Sequence, residues 1–249
     1  MVGLIFVSGW TKVSLLDYPG HLCSVVFLSG CNLRCVYCHN KELVNGGRLS
    51  YGFSWDEILR WLEKNKQMID GVCFTGGEPT LCNDLASMIY DVKKISLKVK
   101  VDTNGTQPKV LEKLLLEELV DFVAMDIKAP LDKYEQICKT KVSADDLYKS
   151  VDLIKTLSPE YEFRTTFHPS ILTIDDFHQI CEWLKGASKY VVQCCRTGNN
   201  LDPIFSKLPP VRYEDVMEIA EFCSGYFTNF VLRGFTDSLQ KVVGNSQRV

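Results

Sequence analysis

The chain has 249 residues, 46% hydrophobic and 24% charged, with a net charge of −3. This is the composition of a globular protein with room for one large α/β domain or two small ones, and it excludes a disordered or fibrous chain. The faint acidity gives no reason to expect nucleic acid or an anionic membrane as partner.

The apolar run Leu4–Val7 is far too short to span a bilayer, and no basic segment precedes it. No signal peptide or transmembrane helix is predicted, and a cytoplasmic location follows. In that compartment eleven cysteines point to metal or redox chemistry rather than to a disulfide framework. Outside residues 31–38 stand Cys23, Cys73, Cys82, Cys138, Cys181, Cys194, Cys195 and Cys223, most of which read as small buried hydrophobes. Lys93, Lys94, Lys98 and Lys100 read as a solvated face.

Gly3 to Leu16 alternates loosely and predicts a strand or hairpin ahead of the main fold, closed by a turn at Asp17-Tyr18-Pro19-Gly20. Cys23–Leu28 has the apolar run of a strand buried on both faces. Asn45-Gly46-Gly47 marks a flexible connection. Ser54-Trp55-Asp56-Glu57 has the form of a capping box, and Trp55, Ile58, Leu59 and Leu62 give the following helix its buried stripe.

From there the chain alternates. Strands are predicted at Gly71–Phe74, Lys98–Val101, Phe122–Met125, Tyr161–Phe167, Tyr190–Cys194 and Phe227–Leu232. Helices fall between them near Leu81–Ile95, Val110–Leu119, Ala144–Leu157, Ile174–Lys185 and Tyr213–Cys223. Such alternation implies a parallel sheet with right-handed crossovers. The expected architecture is α/β, a single incomplete (β/α)6 TIM-like barrel over residues 1–235, with a tail over 236–249 prone to fray.

In such a barrel the chemistry sits at the C-terminal ends of the strands. The first strand leads into Cys31, Cys35 and Cys38, in the pattern C-x3-C-x2-C. Three close thiolates suit one soft metal centre. A structural zinc or an ordinary four-iron cluster takes four protein ligands, so three leave one iron open. Later strands end in Thr75-Gly76-Gly77-Glu78-Pro79, Asp102-Thr103-Asn104-Gly105 and Asp126-Ile127-Lys128. The fifth carries Arg164, Thr166 and His168, and the sixth Gln193 and Arg196. Gly76 and Gly77 admit close backbone approach, Glu78 can accept from an ammonium, Lys128 and Arg164 can hold a carboxylate, and Asp102 can take ribose hydroxyls or a cation. The set describes a pocket for a zwitterionic, nucleoside-containing cofactor.

Other readings stand beside this one. Cys35-Val36-Tyr37-Cys38 could be a dithiol pair, and with His39 it matches c-type haem attachment. Cys31, Cys35, Cys38 and His39 could form a Cys3His zinc knuckle in an interaction module. His168 could line the pocket or end its strand beside Pro169. Cys194 and Cys195 read as opposite-facing strand residues.

Cys31-x3-Cys35-x2-Cys38 followed by Gly-Gly-Glu-Pro resembles the radical S-adenosylmethionine superfamily. Ser14-Leu15-Leu16-Asp17-Tyr18-Pro19-Gly20, Gly30-Cys31-Asn32-Leu33-Arg34-Cys35 and Cys38-His39-Asn40 resemble activating enzymes of glycyl-radical proteins. The nearest likeness is to the activators of anaerobic ribonucleoside-triphosphate reductase. The resemblance implies one [4Fe-4S] cluster on Cys31, Cys35 and Cys38, S-adenosylmethionine on the open iron, and hydrogen abstraction from a glycine Cα of a glycyl-radical partner. It further implies a flavodoxin- or ferredoxin-type electron donor. By the same resemblance Tyr37 packs near the adenine, Gly76, Gly77 and Glu78 meet the methionine amine, and Asp102 and Asp126 sit near the ribose or a monovalent cation. Lys128 contacts the cofactor, with Asn104, Arg164 and His168 as further contacts. Formate-lyase activators carry a histidine at the end of the sixth strand; here Gln193-Cys194-Cys195-Arg196 stands there, with Gln193 or Arg196 as the substitute. The stretch Lys41 to Phe53 has no cysteine, so no second, ferredoxin-like cluster is expected. A small-molecule substrate, as in 7-carboxy-7-deazaguanine synthase, is the alternative use of the same chemistry.

Overall fold

The computed structural model describes residues 6–44 and 52–235; Asn45-Gly46-Gly47 and the tail 236–249 lie outside the described residues. In chain order the elements are β1 (Phe6–Val7), β2 (Gly9–Ser14), β3 (Cys23–Leu28), α1 (Lys41–Val44), β4 (Phe53–Ser54), α2 (Trp55–Asn65), β5 (Gly71–Gly76), α3 (Leu85–Lys94), β6 (Lys98–Thr103) and α4 (Pro108–Leu116). They continue as β7 (Phe122–Asp126), α5 (Tyr134–Cys138), α6 (Ala144–Leu157), β8 (Glu160–Phe167), α7 (Ile174–Trp183), β9 (Lys189–Cys194), α8 (Tyr213–Ser224) and β10 (Asn229–Arg233).

The main sheet has eight strands in the order β10-β9-β8-β7-β6-β5-β3-β2. All neighbours are parallel except β2, which runs antiparallel to β3. The N-terminal hairpin is therefore β2 turning into β3 through Tyr18, where His21 N donates to Tyr18 O at 3.0 Å. β1 pairs instead with β4. Six β/α units and a seventh parallel strand form a partial barrel: β2 and β10 are its two edges and do not pair.

Two apolar layers hold it. Outside, the helices lay their stripes on the sheet, with Ile58, Leu62, Met88, Ile89, Val151 and Ile154 fully or almost fully enclosed. Each such side chain contributes about 1.5–3 kcal/mol by leaving water. Inside the barrel, Cys23, Val25, Cys73, Phe122 and Ala124 form a small second core, closed from below by Tyr18. The Tyr18 and Phe122 rings lie edge to face at 5.7 Å.

The elements follow local rules with instructive exceptions. Ser143 accepts from Asp146 N to cap α6, and Pro108 opens α4. Ser54 stands at the N-cap of α2 with extended backbone but makes no side-chain cap bond, so the expected capping box is not formed. The helix expected over Leu81–Ile95 is divided: a short 3-10 turn, Pro79–Leu81, precedes α3. Several strands run one or two residues past their apolar runs, to Gly76, Thr103 and Asp126. Their polar ends therefore project from the sheet rather than from loops. Among the described residues no helix is long and apolar enough to cross a membrane.

Candidate active site

The loop after β3 is strapped from three sides. Gly30 N and Cys31 N donate to Leu43 O and Val44 O of α1 at 2.7 and 3.2 Å. Arg34 N and Val36 N donate to Cys138 O and Ile137 O at 2.8 and 3.1 Å. From the third side, Leu201 N and Asp202 N donate to Cys38 O and Val36 O, and Asn200 Nδ2 to Tyr37 O at 2.9 Å. Arg34 Nη1 closes the loop on itself at Cys31 O, 2.7 Å away. Cys31, Cys35 and Cys38 all line one cavity of about 660 Å³ at the strand C-termini, within the range of roughly 300–1,000 Å³ usual for small-molecule sites. Burial pushes the Cys31 and Cys38 thiols up. The Cys138 thiol, 3.8 Å from Cys35 Sγ, holds Cys35 down and is itself held protonated.

The Gly76-Gly77-Glu78 turn packs directly on this loop. Gly77 N donates to Leu28 O and Glu78 N to Gly30 O, both at 2.8 Å. A Cβ on Gly77 would collide with the Gly30 carbonyl, and Gly76 sits at φ +117°, so glycine is required at both. Asn40 Nδ2 binds Gly76 O at 2.9 Å. Glu78 is only 1% exposed. Its carboxylate accepts from Thr80 N, Thr80 Oγ1, Thr103 Oγ1 and Asn104 N, and burial raises its pKa. The acceptor expected for an ammonium is thus largely occupied in joining the β5 turn to the end of β6.

Inward-facing charges form a chain across β6, β7 and β8: Lys100, Asp102, Arg164, Asp126, Lys128. Lys100 pairs with Asp102, and Arg164 reaches Asp102 at 3.4 Å through Nη1 and Asp126 at 2.8 Å through Nε. Lys128 Nζ completes the chain on Asp126 at 2.9 Å. Burial alone would raise Asp126; Arg164 and Lys128 overcome it and hold the carboxyl well below the usual range. Lys100 is 1% exposed, which corrects its reading as part of a solvated face: β6 turns it inward onto Asp102. The Arg164 guanidinium stands between the two carboxylates.

Tyr37 and Gln193 both line the cavity. Tyr37 is 5% exposed, with Lys128 Nζ 5.9 Å from its ring centre and, among the described residues, no partner for its buried hydroxyl. Gln193 Oε1 lies 3.4 Å from Arg233 Nη1. Asn104 also borders the cavity, but its amide is taken up by Asn32 Oδ1, Thr106 and, at 3.9 Å, Cys31 Sγ. His168 does not line it. The strand ends at Phe167, and the ring turns away to Pro209 O at 2.9 Å and Ser170 N at 3.1 Å, against Phe205.

Several residues at the site were not read from the sequence: Asn40, Asn200, Cys138 and Arg233. Strand alternation could have found Arg233, which shares its register position with Gln193. Nothing local marks Cys138, 103 positions from Cys35.

The residues present fit a cluster rather than a single ion. A zinc knuckle needs donors at about 2.0–2.3 Å from one centre, and among the described residues no three His, Cys, Asp or Glu side chains converge so closely. His39 Nε2 is engaged at Arg196 O, 2.6 Å away. A four-iron cluster takes each thiolate on its own iron, and Cys31, Cys35 and Cys38 all line the one cavity.

The profile of the Radical SAM superfamily matches residues 25–184. A Methanocaldococcus jannaschii protein named as a glycyl-radical enzyme activating enzyme is 33% identical over 232 residues, 91% of this chain and 95% of that protein. The pyruvate formate-lyase-activating enzyme of Clostridium pasteurianum is 35% identical over 152 residues, 57% of this chain and 61% of that enzyme. Streptococcus suis SuiB, solved with its precursor peptide SuiA, superposes at TM-score 0.68 and 15% identity, over 90% of this chain and 52% of SuiB. The structure of anSMEcpe with bound AdoMet gives 0.59 and 18%, over 82% of this chain and 62% of that one. These two likenesses concern the fold alone. The sequence matches carry the assignment: the chain belongs to the radical SAM superfamily, among its glycyl-radical enzyme activating enzymes.

Proposed function

We propose that the protein activates a glycyl-radical enzyme by abstracting a hydrogen atom from a glycine Cα of that partner. The observation that carries the reading is the single cavity onto which Cys31, Cys35 and Cys38 open together with the Gly76-Gly77 turn and the Asp126–Lys128 pair. In this reading the three thiolates hold a [4Fe-4S] cluster and the cavity holds S-adenosylmethionine. Together, when bound and reduced, these supply a 5′-deoxyadenosyl radical, and the radical chemistry is theirs.

The chain's own residues bind and orient. Carbonyls of the Gly76-Gly77 turn take the methionine amine, since Glu78 is engaged elsewhere. Lys128 and Arg164 face the carboxylate, and the ring of Tyr37 packs beside the adenine. Arg164 supports a site that carries its own counter-charge: its guanidinium, rather than a monovalent cation, balances Asp102 and Asp126. Asn104 and Asn40 hold the cluster loop and the β5 turn in place. Gln193, held by Arg233, presents an amide where formate-lyase activators present a histidine.

The partner class includes anaerobic ribonucleoside-triphosphate reductase, with a flavodoxin- or ferredoxin-type protein as electron source. The test is electron paramagnetic resonance of the reconstituted, reduced protein with cofactor and such a partner. A glycyl radical on the partner supports the reading. Cofactor cleavage without a radical on any glycyl-radical partner overturns it in favour of a small-molecule substrate. One equivalent of zinc and no sulfide after anaerobic purification sinks both.

A further inference from the structure

Cys138 does not line the cofactor cavity, yet it is fully buried 3.8 Å from the Sγ of Cys35. Its position is built rather than incidental. α5 is five residues long and ends there, with Lys139 in the left-handed region at φ +51°. A helix end leaves its last carbonyls without partners. Those of Ile137 and Cys138 accept Val36 N and Arg34 N, the two amides that flank Cys35. The backbone on both sides of Cys35 is thus fastened to the last turn of α5, and the two sulfurs are brought together.

We infer that Cys138 is a positioning residue for the cluster: its thiol donates a hydrogen bond to the Sγ of Cys35 and raises the cluster's reduction potential. This rests on the assignment of Cys35 as a cluster ligand. Between the two thiols Cys35 Sγ donates to Cys138 Sγ; a ligating Cys35 has lost that proton, carries thiolate charge and accepts, and Cys138, enclosed and neutral, has a proton to give. Hydrogen bonds to cluster sulfurs are among the factors that set the potential, because they favour the reduced, more negative state. Cys31 has its own donors, Leu33 N at 3.4 Å and Asn104 Nδ2 at 3.9 Å. Cys138 is the corresponding side-chain donor for Cys35, and it makes the cluster easier for a donor protein to reduce.

The experiment is a redox titration followed by electron paramagnetic resonance on reconstituted wild type, Cys138→Ala and Cys138→Ser. Iron content and far-ultraviolet circular dichroism serve as controls. Cys138→Ala is expected to keep its cluster and fold, titrate at a more negative midpoint, and lose one exchangeable proton coupling. Cys138→Ser keeps a donor and should return to the wild-type midpoint or above it. An unchanged midpoint in Cys138→Ala overturns the inference. If that variant holds no iron, Cys138→Ser decides: a midpoint below wild type overturns the inference, and one at or above it supports it. Failure of the underlying ligand assignment is distinguishable, since wild type itself would then form no four-iron cluster.

Discussion

Arg164 connects three strands' worth of charge through one guanidinium, and its removal should be felt at once in stability and in binding. Arg164→Gln leaves Asp102 with Lys100 and Asp126 with Lys128, but no group between the carboxylates. Breaking a buried ionic network by removing one partner costs about 3–5 kcal/mol, and chemical denaturation should read a loss of that size. Cofactor affinity, measured by calorimetry on the reconstituted protein, should fall at least about tenfold, or roughly 1.4 kcal/mol. Wild-type affinity should be the same in potassium and in tetramethylammonium buffers of equal ionic strength. Cys35→Ala should abolish cofactor cleavage and lower cluster iron while circular dichroism stays unchanged.

Legibility at this scale follows the range of the interaction. Three cysteines within eight positions announce themselves, since their function is set by spacing along the chain. Lys100 was misjudged because its burial comes from residues distant in the chain, Cys73 and Phe122, and the bonds that Thr103 and Asn104 give the Glu78 carboxylate are equally remote. His168 keeps the parity of Arg164 and Thr166 on paper. Its strand ends one residue too soon for that parity to hold.

At the scale of elements, the β5 turn and the loop after β3 behave as one unit, joined through Gly77 N and Glu78 N. Gly77→Ala should force them apart, because the new methyl meets backbone and not a movable side chain. The expected result is a folded protein that holds cluster iron poorly after reconstitution, read by iron and sulfide assay. β10 has a comparable tie. Arg233 binds both oxygens of Glu162, which is completely enclosed, at 2.8 and 2.9 Å. Arg233→Ala should destabilise by about 3 kcal/mol or more. Most strands and long helices could be read from periodicity, α6 to the residue. α5 could not: five residues give little more than one turn, too short for a 3.6-residue period to declare itself.

For the whole molecule, the buried charges predict its response to acid. Burial would raise Glu162, but Arg233, Arg164 and Lys189 bring it down to about 2 from an ordinary 4.5. A carboxyl depressed by folding contributes stability that is complete above 4.5 and lost as pH falls toward about 2. Asp126 acts in the same direction. Melting temperatures should therefore decline across that window, and the decline should be shallower in Glu162→Gln. The barrel and the location of its mouth were legible because strand–helix alternation admits few topologies. The strand-end charges were placed at that mouth, but their pairing and the inward turn of Lys100 were not legible, because a strand's polar residues look alike whether they face water or each other.

The strands lie in the sheet in nearly the order in which they are synthesised, so the thiols and their cover are made at very different times. Cys31, Cys35 and Cys38 leave the ribosome early; the segment around Asn200 that caps Tyr37 and Cys38 leaves late. At about 5–20 residues per second the interval is roughly ten to thirty seconds. Throughout it a nascent chain displays three thiols with no lid. That interval is an opportunity for iron delivery before the lid closes, and equally a period of vulnerability to oxygen.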